Sequence, residues 1–233
     1  YSLILILDNF MACAFPFVIK KKLSSGDTVD YQVPCGWCLN CRVDKRNQWA
    51  DRCKYELCQY KVGSFVTLTY DDNHLHYVKQ YDGKLTATLD YSDVRKFIQR
   101  LRKYIINHPE IQSLYIRPDF KYLYVGEYGG EGQVFDRPHY HILFFGLDYA
   151  HIKRLVYERW QKGFCDCLPI LDGGINYVLK YMDKQAHASE AFYKYDVNFL
   201  ERPKQFQSIG LGKGLYFDTK ERQKDIVIII LLI

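Results

Sequence analysis

The segment Pro138–Gly146, PHYHILFFG, constrains the fold most strongly, because it places two histidines at the start of an uninterrupted apolar run. Side chains alternate between the two faces of a β-strand. His139 and His141 therefore share one face, about 7 Å apart along the strand, and Tyr140 points to the other face. The preceding segment Lys121–Gly129, KYLYVGEYG, also has strand character and is separated from it by a glycine-rich loop. Together the two segments predict a β-hairpin.

Glu127 lies on the first strand of this hairpin, just before the loop, so strand pairing can bring its carboxylate beside the two histidines. Two imidazoles and a carboxylate suit Mg²⁺ or Mn²⁺ with open positions for substrate oxygens, and Zn²⁺ is chemically acceptable as well. The alternative is a pair of ordinary surface histidines. A second H-x-H pair, His74 and His76, has no matching carboxylate strand, so we expect a surface loop or a short edge strand there.

Hydrophobic periodicity predicts the other elements of the chain. Helices are predicted at Asp44–Tyr60, Tyr91–Asn107, Ala150–Lys162 and Ile175–His187, and further strands at Ser64–Tyr70 and Phe164–Leu168. Ser92 is the predicted N-cap of the second helix, and residues 11–43 are predicted to be loop-like. The order strand, helix, hairpin, helix, strand, helix predicts an α+β fold with an antiparallel β-sheet and flanking helices.

The last predicted helix carries the segment Ile175–Lys184, INYVLKYMDK. Tyr177 and Tyr181 are one turn apart and share a face of the helix, and each is followed three residues later by a lysine, Lys180 and Lys184. The alternative is an ordinary amphipathic helix with snorkelling lysines. A tyrosine needs help to act as a nucleophile, because its ordinary pKa is about 10. A nearby lysine and a metal-bound phosphate would supply that help.

The segment CGWCLNC contains three of the eight cysteines: Cys35, Cys38 and Cys41. Such clustering indicates reduced thiols in a cytosol rather than a disulfide framework, and it suggests a zinc site. Cys53, on the following helix, is the first candidate for the fourth ligand, with Cys58 or Cys13 next. The alternative is a set of free thiols, some of them buried.

Composition adds a weaker argument for nucleic acid. The net charge of +5 is modest, but 21 Tyr and 14 Phe interleaved with basic residues suit single-stranded nucleic acid. The alternative is that the aromatic residues simply build the core. The apolar run at the end is too short to cross a bilayer, and we expect translation to begin at Met11. The segment near Gly210 does not match a phosphate-binding P-loop, so we expect a partner to unwind DNA.

Three segments, FVTLTY, RPHYHILFFG and YVLKYMDK, resemble the three motifs of HUH endonucleases, in that order along the chain. The chain is most similar to the rolling-circle replication initiators of gokushovirus-type microviruses, including the cysteine-rich PCGWCLNCR, and the resemblance covers roughly residues 11–214. It implies an HUH endonuclease domain with an RRM-like core at 61–214. A cysteine-rich segment and helix at 11–60 would precede this domain, and a tail at 215–233 would follow it.

The resemblance also implies roles for individual residues. His139 and His141 match the metal-binding pair, Glu127 is the best-placed third ligand, and Tyr177 and Tyr181 match the tyrosines that attack DNA. Lys180 is implied as a catalytic companion of the tyrosines. Arg137 and Lys184 are expected to contact DNA.

The implied reaction is a metal-dependent nick in a single-stranded DNA origin, which leaves a 5′-phosphotyrosine and a free 3′-hydroxyl. The expected cofactors are Mg²⁺ or Mn²⁺ and a structural Zn²⁺. The expected partners are a host DNA polymerase and helicase, in the cytoplasm of a bacterial host and without a membrane. The alternatives are a non-catalytic, zinc-containing protein that binds single-stranded nucleic acid, and an HUH transposase, against which the tyrosine pair counts.

Overall fold

The computed structural model describes residues 13–22, 24, 26–129, 137–183 and 192–214, with only the backbone at positions 172, 181–183 and 192. The chain divides into two compact units, Tyr1–Trp49 and Ala50–Ile233, and the boundary falls inside helix α1, Leu39–Tyr60. Both terminal apolar runs and the tail at 215–233 lie outside the described residues. The sequence-based division at residues 60 and 214 stays a prediction.

The first unit contains an antiparallel hairpin of strands β1, Phe17–Lys22, and β2, Thr28–Val33. Phe17 pairs with Val33, and Lys22 pairs with Thr28. The prediction that residues 11–43 are loop-like is therefore wrong here. The residues of both strands are exposed apart from Val33, so no apolar alternation marks the strands in the sequence.

The second unit is built on a five-stranded antiparallel sheet with the strand order β8-β3-β7-β6-β9. Its strands are β3 (Gly63–Thr69), β6 (Ile116–Tyr128), β7 (Pro138–Leu147), β8 (Cys165–Pro169) and β9 (Gln205–Gln207). A separate hairpin is formed by β4 (His76–Lys79) and β5 (Leu85–Thr88). The helices are α2 (Tyr91–Asn107), α3 (Tyr149–Trp160) and α4 (Asp172–Asp183), with short turns of 3₁₀-helix at Pro109–Ile111 and of π-helix at Phe192–Asp196. The predicted α+β fold with flanking helices is confirmed.

One face of this sheet forms the core with helices α2 and α3. The buried cluster joins Tyr140, Ile142 and Phe144 of β7 to Phe97 and Leu101 of α2 and to Val156 and Trp160 of α3. Because side chains alternate along β7, burying Tyr140 on this face leaves His139 and His141 on the other face. The core therefore fixes which side of the sheet carries the two histidines.

Two predicted helix starts differ from the structure. The N-cap of α2 is Asp90 rather than Ser92: its side chain accepts a hydrogen bond from the backbone N–H of Ser92 at 2.8 Å. Both residues are good caps, and the extended backbone at Asp90 decides between them. Helix α4 begins at Asp172 rather than Ile175, and the part predicted beyond Asp183 lies outside the described residues. Among the helices that the structure describes, none has the length and apolar character to cross a membrane.

Candidate metal and tyrosine site

The pairing of β6 with β7 brings Glu127 and the two histidines together. Glu127 lies directly opposite His139, and Val125 lies opposite His141. One carboxylate oxygen, Glu127 Oε2, is 3.3 Å from His139 Nε2 and 3.4 Å from His141 Nε2. The structure thus assembles the three predicted metal ligands at the end of the central hairpin.

These separations fit a shared divalent cation. The three candidate ligand atoms all lie within 4.8 Å of one another. Neighbouring ligands held at 2.0–2.2 Å from one ion are about 3.0 to 3.4 Å apart in octahedral or tetrahedral geometry. The nitrogen and oxygen donor set is compatible with Mg²⁺, Mn²⁺ and Zn²⁺, and the geometry does not select among them.

Hydrogen bonds on the far side of each imidazole orient the two rings. His139 Nδ1 is 3.0 Å from the carbonyl oxygen of Arg137. A carbonyl oxygen only accepts, so this nitrogen carries the hydrogen, and in the neutral ring the lone pair of Nε2 faces Glu127. His141 Nδ1 is 3.1 Å from Thr67 Oγ1 on β3. Hydrogen bonds of this kind commonly fix the tautomer of metal-binding histidines.

Burial favours the neutral form of one of these histidines. Glu127 and His141 are buried and His139 is partly exposed. Burial lowers the pKa of His141 below its ordinary value, although the hydrogen bond with Glu127 acts in the opposite direction. A neutral imidazole is the form that binds a metal.

Helix α4 places a tyrosine against this group. The ring of Tyr177 meets the ring of His141 edge-on, with centroids 5.3 Å apart and an interplanar angle of 78°. Phe65 of β3 stacks on His141, at 5.5 Å and 20°, and also touches Tyr177 at 6.1 Å. Ile175, Val178 and Leu179 are buried, whereas Tyr177 remains 45% exposed. The helix is anchored by its apolar residues and leaves this phenol accessible.

The structure leaves the other predicted site residues at different stages. The backbone of Tyr181 lies one turn beyond Tyr177 in α4, and Lys180 is exposed in the last turn. Lys184 lies outside the described residues. Arg137 donates a hydrogen bond to the carbonyl oxygen of Tyr70 at 2.8 Å and forms an ion pair with Asp72. Its guanidinium is thus held beside the first turn of β7, and its contact with DNA stays a prediction.

Sequence reasoning missed Thr67 and Phe65 as site residues. The signal was present in FVTLTY, because alternation puts both side chains on one face of β3. It also missed the partners of the second H-x-H pair: His76 Nε2 is 2.8 Å from Asp93 Oδ2 and 3.6 Å from Asp90 Oδ2. The expectation that no carboxylate faces this pair is wrong, because the carboxylates come from the start of α2 and not from a strand.

The cysteines form a second convergent group, in the first unit. The sulfur atoms of Cys13, Cys35, Cys38 and Cys41 lie within 4.8 Å of one another. The preferred fourth ligand, Cys53, belongs instead to the second unit, where burial raises the pKa of its thiol to about 12. Cys13, a lower-ranked candidate on sequence grounds, takes the fourth position.

Comparisons with known proteins agree with this architecture. A family model of replication-associated proteins of the ORF2 type matches residues 63–186, more than half of the chain. Replication-associated protein ORF2 of Spiroplasma virus 4 is 30% identical over 91% of this chain and 72% of its own length. Replication-associated protein ORF4 of Chlamydia phage 1 is 28% identical over 66% of the chain and 39% of its own length. Replication-associated protein VP4 of Bdellovibrio phage phiMH2K is 24% identical over 76% of the chain and 56% of its own length.

No solved structure matches the chain. The family match spans β3, the central hairpin and α4, which are the elements that carry the candidate site. The predicted resemblance to microvirus replication initiators is confirmed by the three phage and virus relatives. The chain therefore belongs to the ORF2-type family of replication-associated proteins and has the role of a viral replication initiator.

Proposed function

We propose that this protein starts replication by nicking single-stranded origin DNA, with a tyrosine of α4 as the nucleophile. The observation that carries the proposal is the contact of Tyr177 with His141, whose ring centroids are 5.3 Å apart. It sets an accessible phenol beside a histidine, histidine and carboxylate group that suits a divalent cation. Neither half of this arrangement suffices alone, because a phosphodiester resists attack and a phenol is a weak nucleophile near neutral pH.

Glu127, His139 and His141 would hold the cation, which in this proposal is Mg²⁺ or Mn²⁺. When bound, such an ion polarises a phosphate oxygen and orients the phosphate for in-line displacement. Thr67 and the Arg137 carbonyl keep the imidazole rings in place through their Nδ1 atoms. The rigid sheet thus sets the position of the ligands before DNA arrives.

The covalent step conserves the phosphodiester. The phenolic oxygen of Tyr177 loses its proton to solvent and forms a bond to the scissile phosphorus. The bond from phosphorus to the 3′-oxygen breaks, and that oxygen takes a proton to become a free 3′-hydroxyl. The product is a 5′-phosphotyrosine. Lys180, exposed three residues after Tyr177, would favour both the phenolate and the DNA phosphates through its positive charge.

The remaining parts of the proposal concern partners. The free 3′-hydroxyl would prime a host DNA polymerase, and a host helicase would unwind the duplex. Tyr181, one turn further along α4, would attack the regenerated origin and release the completed strand. The names of the virus and phage relatives support a site of action in the cytoplasm of an infected bacterial cell.

The test uses a single-stranded origin oligonucleotide labelled at its 3′ end, so that the label stays on the fragment that becomes bound to the protein. With Mn²⁺, we expect a labelled protein band that survives denaturation, and mass spectrometry should locate the DNA on Tyr177 or Tyr181. The His139→Ala/His141→Ala variant should form no such band. Tyr157→Phe, which alters an exposed tyrosine of α3, is the matched control and should behave as wild type.

A protein that only binds DNA would retard the oligonucleotide in a native gel without a covalent band. That result with origin DNA and Mn²⁺ would overturn the proposed function. A covalent band that persists in the double histidine variant would show that the metal site has been assigned to the wrong residues.

A further inference from the structure

The first unit has almost no apolar core. Among its described residues, only Cys38 and Cys41 are buried. The hairpin of β1 and β2 exposes both of its faces, including Phe17, Val18 and Ile19. A lone two-stranded hairpin is at best marginally stable in water, and units of this size commonly need a metal or a disulfide. What is buried in this unit is sulfur.

The four sulfur atoms are spaced like the ligands of one metal ion. Sγ of Cys35 is 3.9 Å from Sγ of Cys41, and Sγ of Cys38 is 4.0 Å from Sγ of Cys13. In a tetrahedral site with Zn–S bonds of about 2.3 Å, the sulfur atoms are about 3.8 Å apart. A disulfide would require about 2.05 Å. All four cysteines are free thiols.

Backbone amides already point at these sulfurs. The N–H of Cys35 donates to Cys13 Sγ at 3.3 Å, that of Cys38 to Cys35 Sγ at 3.4 Å, and that of Cys41 to Cys38 Sγ at 3.5 Å. Such bonds offset the negative charge of thiolates. Gly36 has φ +82°, a left-handed conformation that favours glycine and turns the chain between Cys35 and Cys38.

We propose that Cys13, Cys35, Cys38 and Cys41 bind one Zn²⁺ as four thiolates, and that this ion folds the first unit. Cys13 precedes β1, Cys35 follows β2, and Cys38 and Cys41 stand at the start of α1, where the N–H of Arg42 bonds to the carbonyl of Cys38 at 3.0 Å. The ion therefore ties the base of the hairpin to the helix. Phe15 and Trp37 stack beside it, with centroids 5.1 Å apart and planes 7° apart.

This site is independent of the metal required for nicking, and a test must keep the two apart. The full-length chain is purified under reducing conditions without added metal, and its metal content is measured. We expect about one zinc per chain. Cys13→Ser should lose it, whereas Cys58→Ser, which alters an exposed thiol of the second unit, should keep it. The His139→Ala/His141→Ala variant should also keep the zinc.

Substitution of Co²⁺ into the wild-type chain provides a measurement that needs no variant to fold. Four thiolate ligands give intense sulfur-to-cobalt charge-transfer bands, which a site of histidines and a carboxylate cannot produce. Removing the metal with a chelator should make residues 13–49 sensitive to limited proteolysis and leave the second unit resistant. These bands should survive in the double histidine variant.

Several results would overturn the proposal. Freshly purified, reduced protein without zinc, or with iron in its place, would reject the zinc site. Loss of zinc in Cys53→Ala together with its retention in Cys13→Ser would reject this ligand set. Protease resistance of residues 13–49 that is unchanged after zinc removal would reject the folding role.

Discussion

Glu127 on β6 and His139 on β7 are direct partners across the central antiparallel pair, with Oε2 and Nε2 3.3 Å apart. The candidate metal ligands thus stand on two adjacent strands whose backbones are fully paired around them. Their positions follow from the register of the sheet and not from a loop. A register shift of one residue would move both histidines to the core face, so fold and site depend on each other.

The charge of Glu127 should dominate the affinity for a divalent cation. Glu127→Gln keeps the size of the side chain and removes its negative charge, so we expect Mn²⁺ to bind at least about tenfold more weakly. Titration with Mn²⁺, followed by calorimetry, measures this directly. The control is Glu158→Gln on α3, which removes an exposed partner of Arg154 far from the site in sequence. Equal affinity in wild type and Glu127→Gln would contradict the assignment.

Thr67 is expected to act as a positioning residue through His141. Its hydroxyl lies 3.1 Å from Nδ1 of that ring. Thr67→Val keeps the shape and removes the hydrogen bond, so we expect Mn²⁺ affinity to fall by about 10- to 100-fold. Thr67→Ser should restore it. If Thr67→Val changes stability but leaves the dependence of nicking on Mn²⁺ concentration unchanged, the hydroxyl has only a structural role.

Asp93 at the start of α2 should stabilise the fold in a pH-dependent manner. It is buried and accepts a hydrogen bond from Tyr70 at 3.1 Å, and its other contacts are His76 at 2.8 Å and Lys162 at 3.3 Å. Burial alone would raise the pKa of Asp93, but the hydrogen bond with His76 and the ammonium of Lys162 lower it overall. We expect Asp93→Asn to reduce the free energy of unfolding by about 1 to 3 kcal/mol at neutral pH.

The sign of the pH effect follows from the lowered pKa of Asp93. Its stabilising contribution is complete above the ordinary value of 3.8 and is lost as the pH falls from there through the lowered folded value. The difference between wild type and Asp93→Asn in urea unfolding should therefore shrink below pH 3.8. Asp119→Asn, at an exposed ion pair with Arg117, should change stability by no more than about 0.5 kcal/mol. A pH-independent difference would contradict the ionised role of Asp93.

The central hairpin could be predicted from the sequence because its information is local. Alternation in PHYHILFFG fixes the face of His139 and His141, and the short connection leaves antiparallel pairing as the simplest arrangement for Glu127. Helix α4 is also evident from its spacing. In both cases, neighbouring residues in the sequence determine which side chains share a face.

The contacts that escaped prediction depend on segments far apart in the sequence. Cys13 reaches Cys35 because β1 and β2 fold back on each other, and an exposed hairpin leaves no apolar pattern to reveal it. His76 meets Asp93 through the packing of the β4–β5 hairpin near α2, which no motif encodes. The partnership of Thr67 with His141 required the β3–β7 register in addition to the alternation within each strand.

The two tyrosines of α4 provide the sharpest test of the nicking mechanism. Residues four apart on a helix are about 6 Å apart along its axis and share a face, so both phenols could reach one bound phosphate after a small shift. We therefore expect Tyr177→Phe and Tyr181→Phe each to retain some single cleavage of a short origin oligonucleotide. The double variant should form no covalent adduct, as measured with the 3′-labelled oligonucleotide and Mn²⁺.

Sustained turnover separates the tyrosines further, because one round must end with a second attack while the first tyrosine still holds DNA. Each single variant should therefore fail to support continuous rolling-circle synthesis on a circular template, even where it cleaves once. Tyr157→Phe should support synthesis at the wild-type rate. A covalent adduct in the double variant would place the nucleophile elsewhere. Full turnover by Tyr181→Phe would instead show that Tyr177 acts alone, as a single-tyrosine nickase, which would favour the transposase-like alternative over a two-tyrosine initiator.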